Sequence, residues 1–256
     1  MQLWYPGAAK KPLGPQTEPG IGVPRILLFH TMDGFLAGTD SMFRAGGYSG
    51  TESHFGVGGS WDKGDLDGVV WQWQDLSHGA DAQFAGNAYA TSVETSDGAH
   101  DGVPWRAKQL AALIDLATWW CRQTGNPARL VAAPGEHGFG YHSQFGVWNR
   151  NAHDCPGTAR VHQLTSVIIP EVARRLTASW TEKIVKQLPT LKPNASGEHV
   201  ETLQGLLAAR SHPVKMTGVF DAATLAAVMK VQVWGHLDPD GIVGKDTWSV
   251  LLRVQA

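Results

Sequence analysis

The sequence has little cysteine, little excess charge and no long apolar run, and each shortage excludes a class of protein. Two cysteines in 256 residues do not form a disulfide framework. The formal net charge at pH 7 is −2, which provides no basic excess for binding nucleic acid or anionic lipid. No apolar segment approaches the roughly 20 residues that span a bilayer. We therefore expect a globular protein with neither a nucleic-acid nor a membrane partner.

The first residues, MQLWYPGAAKKPLGPQ, lack the basic stretch followed by an apolar stretch that is typical of a secretory signal. On this pattern we expect synthesis in a cytoplasm. Hydrophobic residues make up 43% of the chain and charged residues 17%, so the chain can bury a sizeable core.

Strands and helices are predicted in alternation over the first two thirds of the chain. Apolar or aromatic segments predict strands at residues 25–30, 53–59, 68–76, 89–95 and 128–134, the second and third forming a hairpin. Helical spacing predicts helices at 104–123, ended by Gly125, and at 161–176, with a glycine-rich loop before the second. This alternation indicates an α/β fold, a central mixed β-sheet flanked by helices.

The composition changes after about Trp180, where a proline-containing stretch precedes short helical patterns. Two segments starting at Gly218 and Gly241 repeat one pattern of a glycine turn followed by an amphipathic helix. With the helical pattern around 197–210, they predict a small C-terminal three-helix domain. We therefore divide the chain into residues 1–180, a linker at 181–192, and a second domain at 193–256.

Cys155 lies in the segment RNAHDCPGTA, directly after an acid and on a Pro-Gly turn. Thiolate and neutral imidazole are zinc ligands, and His30 and His142 are candidates to complete a three-ligand site. With 11 histidines in the chain, spacing alone leaves a metal site and a catalytic Cys-His pair both open.

Several motifs in one order resemble the zinc-dependent N-acetylmuramoyl-L-alanine amidases of the peptidoglycan-recognition-protein superfamily, many of them phage endolysins. The motifs are LLFHTM, ESHFGV, DGVVWQW, GNAYATSVET, GFGYHSQFG and HDCPG, over roughly residues 20–175. The tail separately resembles a small peptidoglycan-binding domain, through SGEHVETLQGLL, GVFDAATLAAV and DGIVGKDTWSVLL.

The resemblance implies that His30, His142 and Cys155 hold a zinc ion. His137 competes with His142, which is preferred because the family places its ligand directly after a Gly-x-Gly-aromatic run. Cys121 lies on the apolar stripe of its helix and is predicted to be a core residue.

The resemblance also implies two catalytic residues, Glu94 and His153. Glu94 would direct the zinc-activated water. His153 stands where many family members carry a lysine, and would stabilise the oxyanion or protonate the leaving amine. The family sometimes uses a tyrosine as base, but Ser53 occupies that position here. The predicted substrate contacts are Thr31, His54, Asn87 and Trp148, and tryptophans such as Trp61 and Trp73 are further stacking candidates.

The implied activity is hydrolysis of the amide between N-acetylmuramic acid and L-alanine in bacterial peptidoglycan, by a monomer whose tail binds the wall. The resemblance to phage endolysins implies that the protein accumulates in a host cytoplasm before its release to the wall. Two alternatives stay open at this point. One is a hydrolase with Cys155 as nucleophile and His142 or His153 as base, and the other is a non-catalytic peptidoglycan sensor.

Overall fold

The computed structural model of the chain describes residues 3–13, 19–45, 52–100, 102–149 and 152–252. The chain divides into two compact units, Met1–Leu176 and Thr177–Ala256. Among the described helices, none is both long and apolar enough to cross a bilayer.

The first unit is built on a six-stranded sheet. Its strands are β1 (Ala8–Lys10), β2 (Ile26–Phe29), β3 (Phe55–Val57), β4 (Val70–Gln72), β5 (Ala90–Thr95) and β6 (Gly138–Tyr141). Their order across the sheet is β1-β4-β3-β5-β2-β6. β3 and β4 pair antiparallel as the predicted hairpin, and the other neighbours pair parallel. The predicted mixed sheet is confirmed.

Helices cover this sheet. They are α1 (Leu36–Arg44), α2 (Ala107–Thr124), α3 (Thr158–Gln163) and the first part of α4 (Ile169–Gln187), which continues into the second unit. A π-helical segment, Leu164–Ile168, joins α3 to α4. Gly125 ends α2 in the left-handed conformation (φ 73°), and its N–H donates to the Cys121 carbonyl.

The central strand β2 is buried on both faces. Leu27 and Phe29 belong to the main core with α2, whereas Ile26 and Leu28 pack in a second cluster on the opposite face. A parallel strand covered on both sides is expected to be a continuous apolar run, as ILLF is. Because β5, β2 and β6 are parallel neighbours, their carboxyl ends meet at one edge of the sheet, where open α/β folds place their ligands.

The strand predicted at 128–134 is wrong. This stretch makes an isolated bridge between Leu130 and Phe139 and is otherwise irregular, because Pro127 and Pro134 bracket it. The glycine-rich segment expected to be a loop instead contains β6. A Cβ at Gly138 would lie 2.4 Å from the Arg129 carbonyl oxygen, so this glycine permits close packing of two backbones.

The second unit contains the predicted three helices, α5 (Glu198–Ala209), α6 (Ala222–Trp234) and α7 (Lys245–Leu252), around a core of its own. The two segments that repeat in the sequence also make the same hydrogen bonds. The Gln204 side chain accepts from Gly218 N–H and donates to the Thr224 hydroxyl, and the Gln232 side chain does the same with Gly241 and Thr247. Each buried glutamine therefore fixes one glycine turn to the start of the next helix.

The predicted linker, residues 181–192, differs from the structure at its start. Helix α4 extends to Gln187, because neither glycine nor proline interrupts the chain between Pro170 and Pro189.

Candidate active site

Three side chains of the predicted site follow from the register of the parallel strands. Phe29 of β2 pairs with Val93 of β5 and with Tyr141 of β6. The next residue along each strand is therefore His30, Glu94 or His142. Strand pairing alone brings these three residues together at the carboxyl edge of the sheet.

Cys155 reaches the same place from the loop that connects β6 to α3. Its carbonyl accepts from Ser143 N–H at 2.9 Å, and its sulfur accepts from Thr31 N–H at 3.3 Å. The metal-binding atoms of His30, His142 and Cys155 all lie within 4.8 Å of one another, and all three residues are buried. The structure thus assembles the predicted ligand set.

The histidines of this cluster have buried polar atoms without hydrogen-bond partners. These atoms, which make no hydrogen bond of ordinary length and angle, are Nε2 of His30 and both ring nitrogens of His142. Burying a polar group without a partner is unfavourable, so such atoms in one cluster indicate a ligand. Two imidazoles and one thiol form the donor set of a catalytic zinc site, and these residues therefore fit a zinc ion.

The electrostatics of the cluster suit metal binding. Burial, reinforced by neighbouring histidines, holds the pKa of His30 well below its ordinary value and lowers the pKa of His142 to about 4. Both imidazoles are consequently neutral at neutral pH, as metal ligands must be. Burial raises the pKa of Cys155, so its sulfur is a protonated thiol when no cation is bound.

Glu94 lies beside the cluster, with Oε1 3.6 Å from Nδ1 of His30. Burial raises the pKa of Glu94 to about 8, and the charge of Arg160 opposes this rise. A cation held by the neighbouring ligands would favour the ionised carboxylate, which is the form that a general base needs.

His153 is exposed and lies outside the three-ligand cluster. Its ring contacts that of His142 edge to face, with centroids 4.7 Å apart, and the Asn149 side-chain amide donates to its backbone carbonyl. The competing His137 lies elsewhere, with Nδ1 2.6 Å from the Asn126 side-chain oxygen. Of these three histidines, only His142 belongs to the His-His-Cys cluster among the residues that the structure describes.

These residues open into a cleft of about 300 Å³. Its lining comprises His30, Thr31, Met32, Asp33, Thr39, Met42, Phe43, Glu52, Ala82, Glu94, His142, His153 and Cys155. The sequence interpretation missed the wall formed by α1, and it missed Glu52, whose carboxylate accepts from the Gln74 side chain at 2.7 Å. A second acid directly before Ser53-His54 was the available signal.

Of the four predicted substrate contacts, Thr31 lines the cleft and the other three do not. His54 is a core residue, because its Nδ1 accepts from Ser92 N–H and its Nε2 lies 2.9 Å from the His78 carbonyl. Trp148 is fully buried, and its indole N–H donates to the Tyr89 hydroxyl. Asn87 uses its side chain within its own loop, bonded to Gln83 and Asp81.

The tryptophans proposed for stacking divide between core and surface. Trp73 is fully buried and donates to the Asp40 carboxylate. Trp61 is 38% exposed and stacks on His100, with ring centroids 4.0 Å apart. Cys121 is buried within the main core, where burial raises its pKa to about 12.

A buried arginine, Arg160, is a further residue that the sequence interpretation missed. It lies one helical turn before Leu164 and two before Ile168, both fully buried. A charged residue on an apolar stripe was the signal that could have identified it.

Comparison with known proteins gives a family match for the tail alone. Residues 196–251 match the family model described as "Putative peptidoglycan binding domain". None of the curated proteins matches the chain.

Three solved structures are among those similar to this chain. The SleB N-terminal domain is 32% identical over 25% of this chain and 90% of its own, with a TM-score of 0.25. The N-acetylmuramoyl-L-alanine amidase LysC from Clostridium intestinale is 15% identical over 68% of this chain and 99% of its own, with a TM-score of 0.46. The amidase AmiD from E. coli, in complex with a muropeptide, is 15% identical over 93% of this chain and 90% of its own, with a TM-score of 0.43.

Proposed function

We propose that the chain is a zinc-dependent N-acetylmuramoyl-L-alanine amidase that acts on bacterial peptidoglycan as a phage endolysin. The observation that carries this proposal is the cluster of His30, His142 and Cys155 at the floor of a cleft that Glu94 and His153 also line. Three protein ligands beside an open cleft are typical of a catalytic rather than a structural zinc site.

His30, His142 and Cys155 would hold the ion. Zinc bound there would supply a Lewis acid and lower the pKa of a water molecule from 15.7 to about 7. Glu94 lies where its carboxylate can accept the proton of an attacking water in the cleft.

His153 would act on the side of the scissile amide. It is exposed at the cleft and faces the same cluster through His142. From this position it can donate a hydrogen bond to the oxygen that gains charge, or pass a proton to the departing amine. Glu94 and His153 thus divide the proton transfers between them.

The tail would anchor the enzyme to the wall. The family match at residues 196–251 supports a peptidoglycan partner for this unit. Tethering raises the local concentration of substrate without altering the chemical step. We expect the isolated tail to sediment with purified walls, and a tail that stays in the supernatant would refute the anchoring role.

The cysteine-nucleophile alternative is disfavoured by the surroundings of Cys155. Nucleophilic cysteines need an accessible thiolate, whereas Cys155 is 3% exposed and burial raises its pKa. The non-catalytic sensor is disfavoured because the whole ligand set and Glu94 share one cleft.

Removal and return of metal test the proposal. The full chain, treated with a chelator and then dialysed, should stop releasing L-alanine-linked peptides from purified walls and should recover on addition of zinc. Cleavage that is insensitive to the chelator would instead support the cysteine nucleophile. A zinc-loaded protein that binds walls but exposes no new amino group of L-alanine would refute the amidase.

A further inference from the structure

Arg160 is a charged side chain in the interior of the first unit, only 1% exposed. Desolvating a guanidinium is unfavourable unless its donors are satisfied, so its surroundings should explain why it is there. Arg160 does not line the cleft, so it is not itself part of the candidate site. It lies on α3, shortly after Cys155 in the chain.

The guanidinium joins three segments that surround the cluster. Nη1 donates to the Thr31 hydroxyl at 2.7 Å and to the Thr95 hydroxyl at 2.8 Å. Nη2 donates to the Ser96 carbonyl at 3.0 Å, and Nε donates to the Val103 carbonyl at 2.9 Å. The segment after β2, at Thr31, the end of β5 and the loop that leads to α2 are therefore held by one planar guanidinium fork.

Thr31 connects this fork to the cysteine ligand. Its hydroxyl accepts from Arg160 and lies 3.3 Å from both the Thr95 carbonyl and Oδ2 of Asp97. Its backbone N–H donates to the sulfur of Cys155. The side chain of Thr31 is thus fixed on one side, and its amide is directed at the sulfur on the other.

Thr95 makes the matching connection to a histidine ligand. Its hydroxyl accepts from Arg160 and donates to the backbone carbonyl of His30. Arg160 therefore reaches two of the three metal ligands, each through one threonine.

We propose that Arg160 is a positioning residue for the metal site, which orients the Cys155 sulfur and the His30 backbone through Thr31 and Thr95. The inference rests on the proposed zinc site but not on the identity of the substrate. Residues that orient metal ligands from outside the coordination sphere commonly change metal affinity about 10- to 100-fold when replaced. A buried arginine that only filled space would leave zinc affinity unchanged in any variant that folds.

Four variants of the full chain separate these roles. Arg160→Met removes the fork at similar length, Arg160→Lys keeps the charge without the fork, and Thr31→Val removes only the hydroxyl. Arg174→Met is the matched control, because Arg174 is an exposed arginine of α4 paired with Glu171. The measurements are the zinc dissociation constant by competition with a chelator, the thiolate-to-metal absorption of the cobalt-loaded protein, and the melting temperature of the metal-free protein.

We expect Arg160→Met to weaken zinc binding about 10- to 100-fold and to reduce the cobalt–thiolate absorption. Arg160→Lys and Thr31→Val should change both quantities in the same direction by smaller factors, and Arg174→Met should match the unaltered chain. If Arg160→Met does not fold, the other two variants decide.

Zinc affinity and cobalt absorption equal to those of Arg174→Met, in folded Arg160→Lys and Thr31→Val, would overturn the inference. An unaltered chain that binds no zinc would overturn the proposed site and this inference together. Zinc binding without cleavage of peptidoglycan would overturn the proposed function alone, and the order of zinc affinities among the variants would still decide the role of Arg160.

Discussion

The cleft of the first unit and the core of the second differ in whether their buried polar atoms have hydrogen-bond partners. In the cleft, buried nitrogens of His30 and His142 and Oε2 of Glu94 have no hydrogen-bond partner. In the tail, Gln204 and Gln232 are just as buried, yet each amide is bonded on both its oxygen and its nitrogen. No buried side-chain nitrogen or oxygen lacks a partner in the part of the tail that the structure describes.

This contrast separates polar groups that stabilise a fold from polar groups that await a ligand. A satisfied buried amide specifies one geometry, and its loss leaves its partners unpaired. The unpartnered nitrogen of a buried imidazole has an uncompensated desolvation cost, which a bound cation would offset. Substitutions in the two units should therefore have opposite consequences for stability and for metal binding.

The largest effect is expected for the sulfur ligand. Cys155→Ser should abolish zinc binding and wall cleavage together, because a hydroxyl is a far poorer zinc ligand than a thiolate. Metal analysis and a wall-lysis assay measure the two losses. Cys121→Ser is the control, and it should keep zinc and activity with a stability loss of about 1–3 kcal/mol from a polar group in the core. A Cys155→Ser protein that still binds zinc stoichiometrically and lyses walls would remove Cys155 from the site.

The next largest effect distinguishes the roles of His142 and His153, whose rings are in contact. His153→Ala should lower kcat about 100- to 1000-fold, as expected for one lost transition-state hydrogen bond, and should leave zinc content unchanged. His142→Ala should lose the metal itself. The opposite pattern, with zinc lost from His153→Ala and kept in His142→Ala, would show that ligand and electrophile are exchanged.

The comparison of the two units predicts that replacing a buried polar residue by leucine destabilises the tail but not the metal-free first unit. Gln204→Leu should lower the free energy of unfolding of the tail by about 2–4 kcal/mol, because Gly218 N–H and its neighbours lose their partner. His142→Leu should leave the metal-free first unit within about 1 kcal/mol of the unaltered chain, or stabilise it, because it removes polar atoms that had no partner.

Calorimetry of the metal-free proteins checks both values, and zinc binding should survive Gln204→Leu. Thr202→Ala, an exposed change on the same helix as Gln204, should cost less than about 0.5 kcal/mol. A strongly destabilised metal-free His142→Leu protein would contradict the distinction between the two units.

The smallest expected effect concerns the number of protons that are released when zinc binds. The raised pKa values of Cys155 and Glu94 mean that both groups carry protons at pH 7, and a bound cation displaces them. The lowered pKa values of His30 and His142 mean that neither has a proton to release. When zinc binds at pH 7, these side chains should therefore release about two protons, in addition to any proton lost from a zinc-bound water, and affinity should rise as pH rises.

Titration calorimetry in buffers of different ionisation enthalpy measures this number. Glu94→Gln should reduce the release by about one proton. An unchanged count in Glu94→Gln would show that Glu94 is already ionised in the metal-free protein.

The sequence predicted those parts of the fold that local patterns encode. ILLF, the hairpin and the glycine-ended helix α2 are present close to where hydrophobic periodicity placed them. Periodicity failed where packing overrides local preference. Gly138 and Gly140 are in β6, which pairs with β2, and the Arg129 carbonyl and the Leu28 side chain approach them too closely for a side chain.

The sequence could predict which residue types form the candidate site and in what order they occur, but not which side chains reach the cleft. His54, Asn87 and Trp148 have the chemistry of substrate-binding residues, yet their polar atoms are bonded within the protein. Conversely, Arg160 lies outside the quoted motifs, and Glu52 lies in ESHFGV without a predicted role. Only folding brings Arg160 close to the cluster and Glu52 into the cleft.

By itself, the sequence determined the alternation of strands and helices, the repeat in the tail, and the residues able to bind zinc. The tertiary structure decided which of those residues meet. The three candidate ligands and Glu94 come from four segments of the chain. The register of β5, β2 and β6 and the return of the Cys155 loop bring the ligand atoms of His30, His142 and Cys155 within 4.8 Å of one another, with Glu94 beside His30. Local periodicity reports which face of an element is buried, whereas pairing between distant strands depends on the packing of the whole core.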